Sequence, residues 1–421
     1  MKVVNISIIM PVYNTANYLK ESLGSLLRQT YTEFELICVN DASTDDSFSI
    51  LREFQQRDAR LVIVEHDINR GAAVSRNDGL KIAKGEYVIF LDSDDYFYQD
   101  MLEVSYQYAV EKNADIVIFG SETMENGVLR KASCHYQCID SVDKKLLFLP
   151  TIRHVPWDKL VKKRILLDHK IWFQDIPTNN DIFYSFAVIL MAERIIVCSK
   201  ELLQYRYGRL GSLTNKRFSG ENYTVDAFYA LFRFWIRNKM ESRLAAAFIN
   251  LIADNLQLYL SEELYPLKMR RESLEDLLNY KDMINTLSRY EMSNALYPHN
   301  RQFVRSLVEK RDVCNMKYFQ FYLDSVEEII KEKRKNGEKI ALWGCGQNGR
   351  MLLKLLDSRD VLIDYVIDEN QEIQGKACGR YQIQSYDEIA DKISTVFITN
   401  MKYKEAIEEK ATGKEVIYVW K

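Results

Sequence analysis

Short apolar segments alternate with helix-length amphipathic ones over roughly the first 120 residues, and this rhythm constrains the fold more than any other feature of the chain. Strand-like runs fall at Ile6–Met10, Phe34–Val39, Leu61–Glu65, Tyr87–Leu91 and Asp115–Phe119. Helical patterns lie between them at Tyr18–Arg28, Ser47–Asp58 and Ala72–Ala83. Parallel strands need long crossovers, which helices supply, so the alternation predicts a doubly wound, mostly parallel α/β sheet.

The rhythm then breaks. Residues 140–215 are mixed, with one amphipathic helix near Asp181–Ala192, and residues 220–335 are helix-patterned and rich in Tyr, Phe and Leu. Past Asn336-Gly337 the βαβ alternation returns, with strands at Lys339–Trp343, Val361–Ile367, Thr395–Ile398 and Glu415–Trp420. A chain of 421 residues exceeds what one hydrophobic core usually serves. We expect an α/β domain over 1–218, a helical domain or linker over 219–336, and a small Rossmann-like α/β domain over 337–421.

The charge balance excludes one class of partner. With 57 basic and 60 acidic residues the net charge is −3, without the basic excess of a general nucleic-acid binder. The amino terminus reads as a strand entering a turn rather than as a signal peptide. No apolar run approaches the ~20 residues needed to span a bilayer; Leu244–Ala253 is too short and contains Asn250. Seven cysteines are scattered, and only Cys134 and Cys138 are near neighbours, with His135 as the one further ligand a zinc site would have. Reduced thiols and a cytoplasmic location follow as expectations.

Chemistry concentrates at strand ends. Asp92-Ser93-Asp94-Asp95 follows Tyr87–Leu91 at once, and packed carboxylates repel unless a cation neutralises them. In open α/β sheets ligands sit at this carboxyl edge. Pro11-Val12-Tyr13-Asn14 closes the first strand, where proline removes a ladder donor and the following backbone offers a shelf for a flat base. Asp41 stands at the end of the second strand, ahead of Asp45 and Asp46, which read as a helix cap and first turn. Arg70 and Arg76 set cations beside the third strand and its helix.

PVYN (11–14), VNDASTDDS (39–47) and NRGAAVSRNDGLKIAKGEYVIFLDSDD (69–95) together resemble the inverting family-2 glycosyltransferases of GT-A fold. The resemblance covers about residues 1–215. It implies a GT-A-type doubly wound mixed sheet and transfer of a sugar from a nucleoside-diphosphate donor, usually UDP-linked, with Mn²⁺ or Mg²⁺. By position, Asp41 would hold the base, Asp92 the ribose, and Asp94 the cation bridging the diphosphate, within a donor site of Pro11, Val12, Tyr13, Asn14, Arg70, Arg76 and Ser93. The family's base is the Asp of a Glu-Asp pair after a Trp-x-Lys-Leu segment and a Phe-containing strand. Here Trp157-Asp158-Lys159-Leu160 and Phe173 lead to Asn180-Asp181, so Asp181 takes the base position and Asn180 departs from the usual Glu. Residues 205–214 resemble the family's Arg-rich loop, with Arg206 or Arg209 in reach of a phosphate and Gly208 and Gly211 permitting movement. The implied acceptor is a glycan or a lipid-linked glycan in surface polysaccharide assembly.

Two further readings stay open. The stripe Phe228, Leu231, Phe232 and Trp235 is core, or a surface for a lipid-linked acceptor or a second copy of the chain, and Lys268, Arg270 and Arg271 offer a peripheral contact with the inner face of a membrane. Gly344, Gly346 and Gly349 follow the Ile340–Trp343 strand and open a helix, with Asp368 ending the next strand 19 residues after Gly349. That context suits a second nucleotide site, and equally a tight structural turn. The stretch also resembles small Rossmann-like modules attached to sugar acetyltransferases and methyltransferases.

Overall fold

The computed structural model describes residues 4–125, 128–132, 137–208, 223–239, 242–261, 267–292, 296–311, 313–315, 318–398 and 404–418. The chain divides into two compact units, residues 1–252 with 264–284 and residues 253–263 with 285–421.

The first unit begins as the alternation requires: β1 Ile6–Val12, α1 Ala16–Leu27, β2 Phe34–Asn40, α2 Ser47–Arg57, β3 Leu61–Glu65, α3 Ala72–Ile82 and β4 Tyr87–Phe90. There follow β5 Tyr96–Phe97, α4 Met101–Glu111, β6 Ile116–Glu125, β7 Val128–Ala132, β8 Gln137–Ile139, α5 Val142–Phe148, β9 Lys159–Lys162, α6 Lys163–Asp168, α7 Asn180–Met191 and β10 Ile195–Arg206. The sheet order is β3-β2-β1-β4-β9-β6-β10-β5, with β7 on β6 and β8 on β10. Strands β3, β2, β1 and β4 run parallel, β9 is antiparallel to both β4 and β6, and β6 and β10 are parallel. The sheet is therefore mixed, as the resemblance implied.

Pro11 does not end the first strand. It lies inside β1, paired with Val39 on β2, while the pairing of β1 with β4 stops at Ile9. Its missing N–H costs no ladder bond because β1 is a local edge there.

Two close approaches set α3 on the sheet. A Cβ on Gly79 would stand 2.5 Å from Ile9 Cγ2, so only glycine lets the helix sit this low on β1. At the turn beyond, Gly85 N donates to Ser7 Oγ (2.8 Å) and Ser7 Oγ donates to Glu35 Oε1 (2.7 Å). An aromatic triad pins α7 to β4: Phe90 meets Phe173 at 4.8 Å and Tyr184 at 5.3 Å, and Phe173 stacks on Tyr184 at 4.4 Å. Phe173 itself lies in a coil rather than in the strand expected of it.

Helix follows strand in the last part of this unit. On the helix Thr224–Arg237 the residues Phe228, Leu231, Phe232 and Trp235 are all buried, so the stripe is core. Tyr229 stacks on Tyr280 at 3.7 Å, and Tyr280 Oη donates to Asp226 Oδ1 at 2.6 Å. No described helix is long and apolar enough to cross a membrane.

The second unit packs helices Pro298–Val308 and Tyr318–Lys335 through Phe303 and Phe321, whose rings meet edge to face at 5.6 Å. Its sheet contains β11 Ile340–Trp343, β12 Tyr365–Ile367, β13 Ala377–Cys378, β14 Tyr381–Gln384, β15 Thr395–Ile398 and β16 Glu415–Tyr418. The order is β13-β14-β12-β11-β15-β16, parallel except for β13. Cys38, Cys138, Cys198 and Cys314 are thiols, but Cys345, just after β11, and Cys378, on β13, form a disulfide, which corrects the expectation of reduced thiols at these two positions. Their separation of 33 residues hid the neighbourhood that the β13–β14 hairpin creates. Cys134 and His135 lie outside the described residues.

Candidate active site

The loops leaving β1, β2 and β4 are stitched together by short polar side chains. Asn14, in a left-handed conformation (φ 51°), accepts the Thr44 N–H on Oδ1 at 2.8 Å, and its own N–H reaches Ser43 Oγ at 3.2 Å. Asp45 ties two helix starts, accepting Ala16 N–H at 3.0 Å and Ser47 N–H at 2.9 Å, and these bonds hold its carboxyl below the usual range despite the opposing effect of burial. Thr15 Oγ1 and Ser93 Oγ share a hydrogen bond of 3.0 Å, joining the β1 exit to the carboxylate cluster. Val12 is buried, Pro11 is half-buried and Tyr13 is exposed.

Asp41 is buried and heavily used. Its Oδ1 accepts Arg70 N–H at 2.8 Å and faces His66 Nδ1 at 2.7 Å, while Oδ2 accepts Gly71 N–H at 2.8 Å. His66 Nε2 stands 3.2 Å from Asp78 Oδ2, which also receives Arg70 Nη1 at 3.1 Å. One carboxylate thus folds the loop that opens α3. Sequence reasoning missed His66 and Asp78; the signal was a titratable residue directly after the third strand, the same position that marked Asp41.

Asp92, Asp94 and Asp95 lie together at the end of β4. Asp95 is the deepest; burial, followed by the charges of Asp94 and Asp92, raises its carboxyl well above the ordinary range. Its Oδ1 accepts Arg206 N–H at 2.9 Å, whereas its buried Oδ2 finds no hydrogen-bond partner among the described residues. The Arg206 side chain donates from Nε to the Asp94 carbonyl (2.9 Å) and from Nη2 to Glu21 (2.9 Å), so it braces the acidic turn. Arg209 lies outside the described residues.

Across the site, Asp181 opens α7, and burial pushes its carboxyl up to about 6. Arg76 and Lys159 pull in the opposite direction, and Asp92 adds to the rise. Asn180 Oδ1 accepts from Arg76 Nη1 at 3.2 Å, and Asp92 Oδ1 accepts from Arg76 Nη2 at 2.8 Å. Lys159 is buried and donates to Asp158 Oδ1 (2.5 Å), Val155 O (2.8 Å) and Arg153 O (3.1 Å); its desolvation lowers its pKa. One side of this arrangement gathers crowded acidic oxygens, and the other holds a carboxyl that burial raises to about 6.

Residues 7–155 match the family model described as glycosyl transferase family 2. The amino-terminal domain belongs to that family. Residues 336–417 match a second model, described as C2185-like, N-terminal. Among curated proteins, the glycosyltransferase GlyA of Streptococcus pneumoniae serotype 4 is 29% identical over 379 residues, covering 79% of this chain and 50% of GlyA. The poly(ribitol-phosphate) beta-glucosyltransferase of Bacillus spizizenii is 36% identical over 199 residues, 46% of this chain and 30% of that protein. The chain thus spans half or less of the length of these two relatives. The crystal structure of S. aureus TarS 1-349 in complex with UDP-GlcNAc shares the fold, with a TM-score of 0.62 at 22% identity over 80% of this chain and 93% of that one. The matched segment contains Pro11–Asn14, Asp41, Arg70, Arg76 and Asp92–Asp94, while Asp181 and Arg206 lie beyond it.

The carboxy-terminal turn is arranged differently. Asp368 Oδ2 accepts Cys345 N–H at 2.8 Å and Oδ1 accepts Asn370 N–H at 3.0 Å. Gly344 has φ 103°, Gly346 stands at the start of the helix Gln347–Asp357 with open space where a Cβ would go, and Gly349 lies within that helix.

Proposed function

We propose that this chain is an inverting, metal-dependent glycosyltransferase that moves a sugar from a UDP-linked donor to a glycan or lipid-linked acceptor of a surface polysaccharide. One observation carries the reading. Asp181, a carboxyl pushed up to about 6, follows Asn180, which one buried arginine joins to Asp92, and it feels the charges of both Arg76 and Asp92, so a candidate base and an acidic strand end lie together. The poly(ribitol-phosphate) beta-glucosyltransferase and the UDP-GlcNAc complex of TarS support the polymer acceptor and the UDP donor respectively.

In this reading the uridine lies over Tyr13 and the 41–44 loop. Asp41 accepts from the base, since Oδ2 keeps a lone pair beside its bond to Gly71. Asp92 takes the ribose side. The residues present fit a divalent cation: three crowded carboxylates and the orphaned Asp95 Oδ2 all gain from a positive charge. Among the described residues no three His, Cys, Asp or Glu side chains form a metal site; a cation here would take one or two carboxylates and complete its shell with phosphate and water. Asp94 would hold it, and when bound it offsets the charge developing on the leaving diphosphate. Arg206 keeps the acidic turn folded. Asp181 then removes the proton of the acceptor hydroxyl as the acceptor oxygen attacks the anomeric carbon and the bond from that carbon to the nucleoside diphosphate breaks, a single in-line displacement that inverts the carbon.

The test is a panel of nucleoside-diphosphate sugars scored for nucleoside-diphosphate release with Mn²⁺, Mg²⁺ or EDTA. Cation-dependent release from one UDP-sugar, lost in Asp181→Asn, is the expected result. No release from any donor would overturn the reading.

A further inference from the structure

Resting on that reading, we propose that Arg76 is a positioning residue: one buried guanidinium ties the donor-side loop after β4 to the start of α7, and so fixes where the base stands. The side chain leaves α3 and is 8% exposed. Its two terminal nitrogens go to different elements, Nη2 to Asp92 Oδ1 at 2.8 Å and Nη1 to Asn180 Oδ1 at 3.2 Å. The guanidinium also lies over the Phe173 ring, 5.1 Å from its centroid. Asn77, the next residue of α3, grips the Phe173 backbone twice, donating to its carbonyl at 2.8 Å and accepting its N–H at 2.9 Å. Helix α3 therefore holds the loop after β4, the Phe173 backbone and the start of α7 through adjacent residues.

This geometry leaves Arg76 little to give a phosphate. Both fork ends are engaged and the head is buried, whereas Arg70, half exposed, is the cation on that side with surface to offer. A planar fork with two fixed directions suits bridging better than a flexible ammonium would. The residue at 180 tunes the bridge. With Asn there, Arg76 meets one carboxylate instead of two, so more of its positive charge is felt by Asp181. The charged groups that act on Asp181 are Arg76 from α3, Asp92 from the β4 loop and Lys159 from β9.

The expectations follow from charge. Arg76→Gln removes a cation, so the Asp181 midpoint should rise by on the order of 1 unit. Asn180→Glu adds an anion beside Asp181 while keeping Arg76 paired, and should move the midpoint the same way. Arg76→Lys keeps the charge but loses the fork. Its midpoint should stay near that of the unaltered chain while kcat falls on the order of tenfold, because the base is displaced.

The experiment uses the full chain with ¹³C-labelled aspartate carboxyls, the Asp181 signal assigned by Asp181→Asn, alongside kcat and donor KM for the best donor. If the midpoint is unmoved in both Arg76→Gln and Asn180→Glu, or if the Arg76 variants change only donor KM, Arg76 is a donor ligand and the positioning role falls. Should Arg76→Gln fail to fold, Asn180→Glu decides alone. The carboxyl titration needs no turnover, so absence of any donor activity would remove the transferase reading while the coupling is still judged.

Discussion

Two sheet edges in this chain solve the same local problem and diverge in what they build on it. In the first unit Asp41 ends a strand and captures Arg70 N–H and Gly71 N–H, the turn that opens α3. In the second, Asp368 ends a strand and captures Cys345 N–H in the turn before the helix Gln347–Asp357. Each carboxylate pre-folds a glycine-containing loop at the carboxyl end of parallel strands. Around Asp41, however, the fold adds His66, Arg76, the Asp92–Asp95 cluster and Asp181. Around Asp368 the neighbouring charges are spent on one another, with Lys410 paired to Glu369 and Asp387. A glycine turn with an acidic partner is a scaffold shared by both; the first edge adds to it the crowded carboxylates of Asp92, Asp94 and Asp95.

The comparison breaks most visibly at the base. Asp181→Asn should keep UDP binding and lose transfer by at least ~10²-fold, the usual cost of removing a general base. Asp368→Asn should leave nucleoside-diphosphate release by the same chain unchanged. Kinetics on both variants check this, and equal losses would make the second edge part of the first edge's chemistry.

Next in size is the cation. Calorimetry with UDP and Mn²⁺ should show binding that largely disappears in Asp94→Ala or with EDTA. The carboxy-terminal turn should show no such dependence, since a phosphate there must displace Asp368 from Cys345 N–H. Titration of NAD(P), UDP and a nucleotide-sugar into Asp94→Ala full-length chain, read by amide spectra, decides whether the Gly344–Gly349 turn binds any of them.

The pH profile gives a middle-sized effect. Asp181 acts as a base only when ionised and titrates near 6, so kcat should fall as pH drops through about 6. The linked stability runs the other way. A raised carboxyl pKa means that ionisation disfavours the folded state above the unfolded value near 4, an effect complete once pH exceeds about 6. Asp181→Asn should therefore raise Tm at pH 7–8 and change it little at pH 4, and a Tm series across that range checks it.

Smallest is the difference between the two capturing aspartates. Asp41→Asn weakens three interactions of a buried carboxylate and should cost about 1–3 kcal/mol, with donor KM rising as the 69–71 loop loosens. Asp368→Asn disturbs two, in a loop that the Cys345–Cys378 disulfide also holds, and should cost about 1 kcal/mol. Urea melts of the two variants measure the gap.

Much of the first sheet was legible because its signals are periodic and local: strand, turn and helix repeat before residue 100, and each acidic block falls at a strand end. Trp157-Asp158-Lys159-Leu160, the segment that pointed to Asp181 through the resemblance, is buried and leads into β9. The mixed half of the sheet was poorly legible, since the twelve residues of β10 pair across register shifts with β6 and carry no clean alternation. His66, the Arg76 bridge and the disulfide were hidden for a common reason. Each depends on residues brought together by tertiary packing, over separations of 25, 104 and 33 positions respectively.

Gly79 lies one turn beyond Arg76, and a methyl group there would collide with Ile9 at 2.5 Å. The helix that carries the bridging arginine is thus seated by an absent side chain, and the seat works as a lever: lifting α3 at Gly79 tilts the guanidinium one turn away. Alanine at this position, out of reach of any substrate, would act on the chemistry as a change of alignment. The acidity of a carboxyl on a different helix is in this sense set partly by how closely two backbones are allowed to lie.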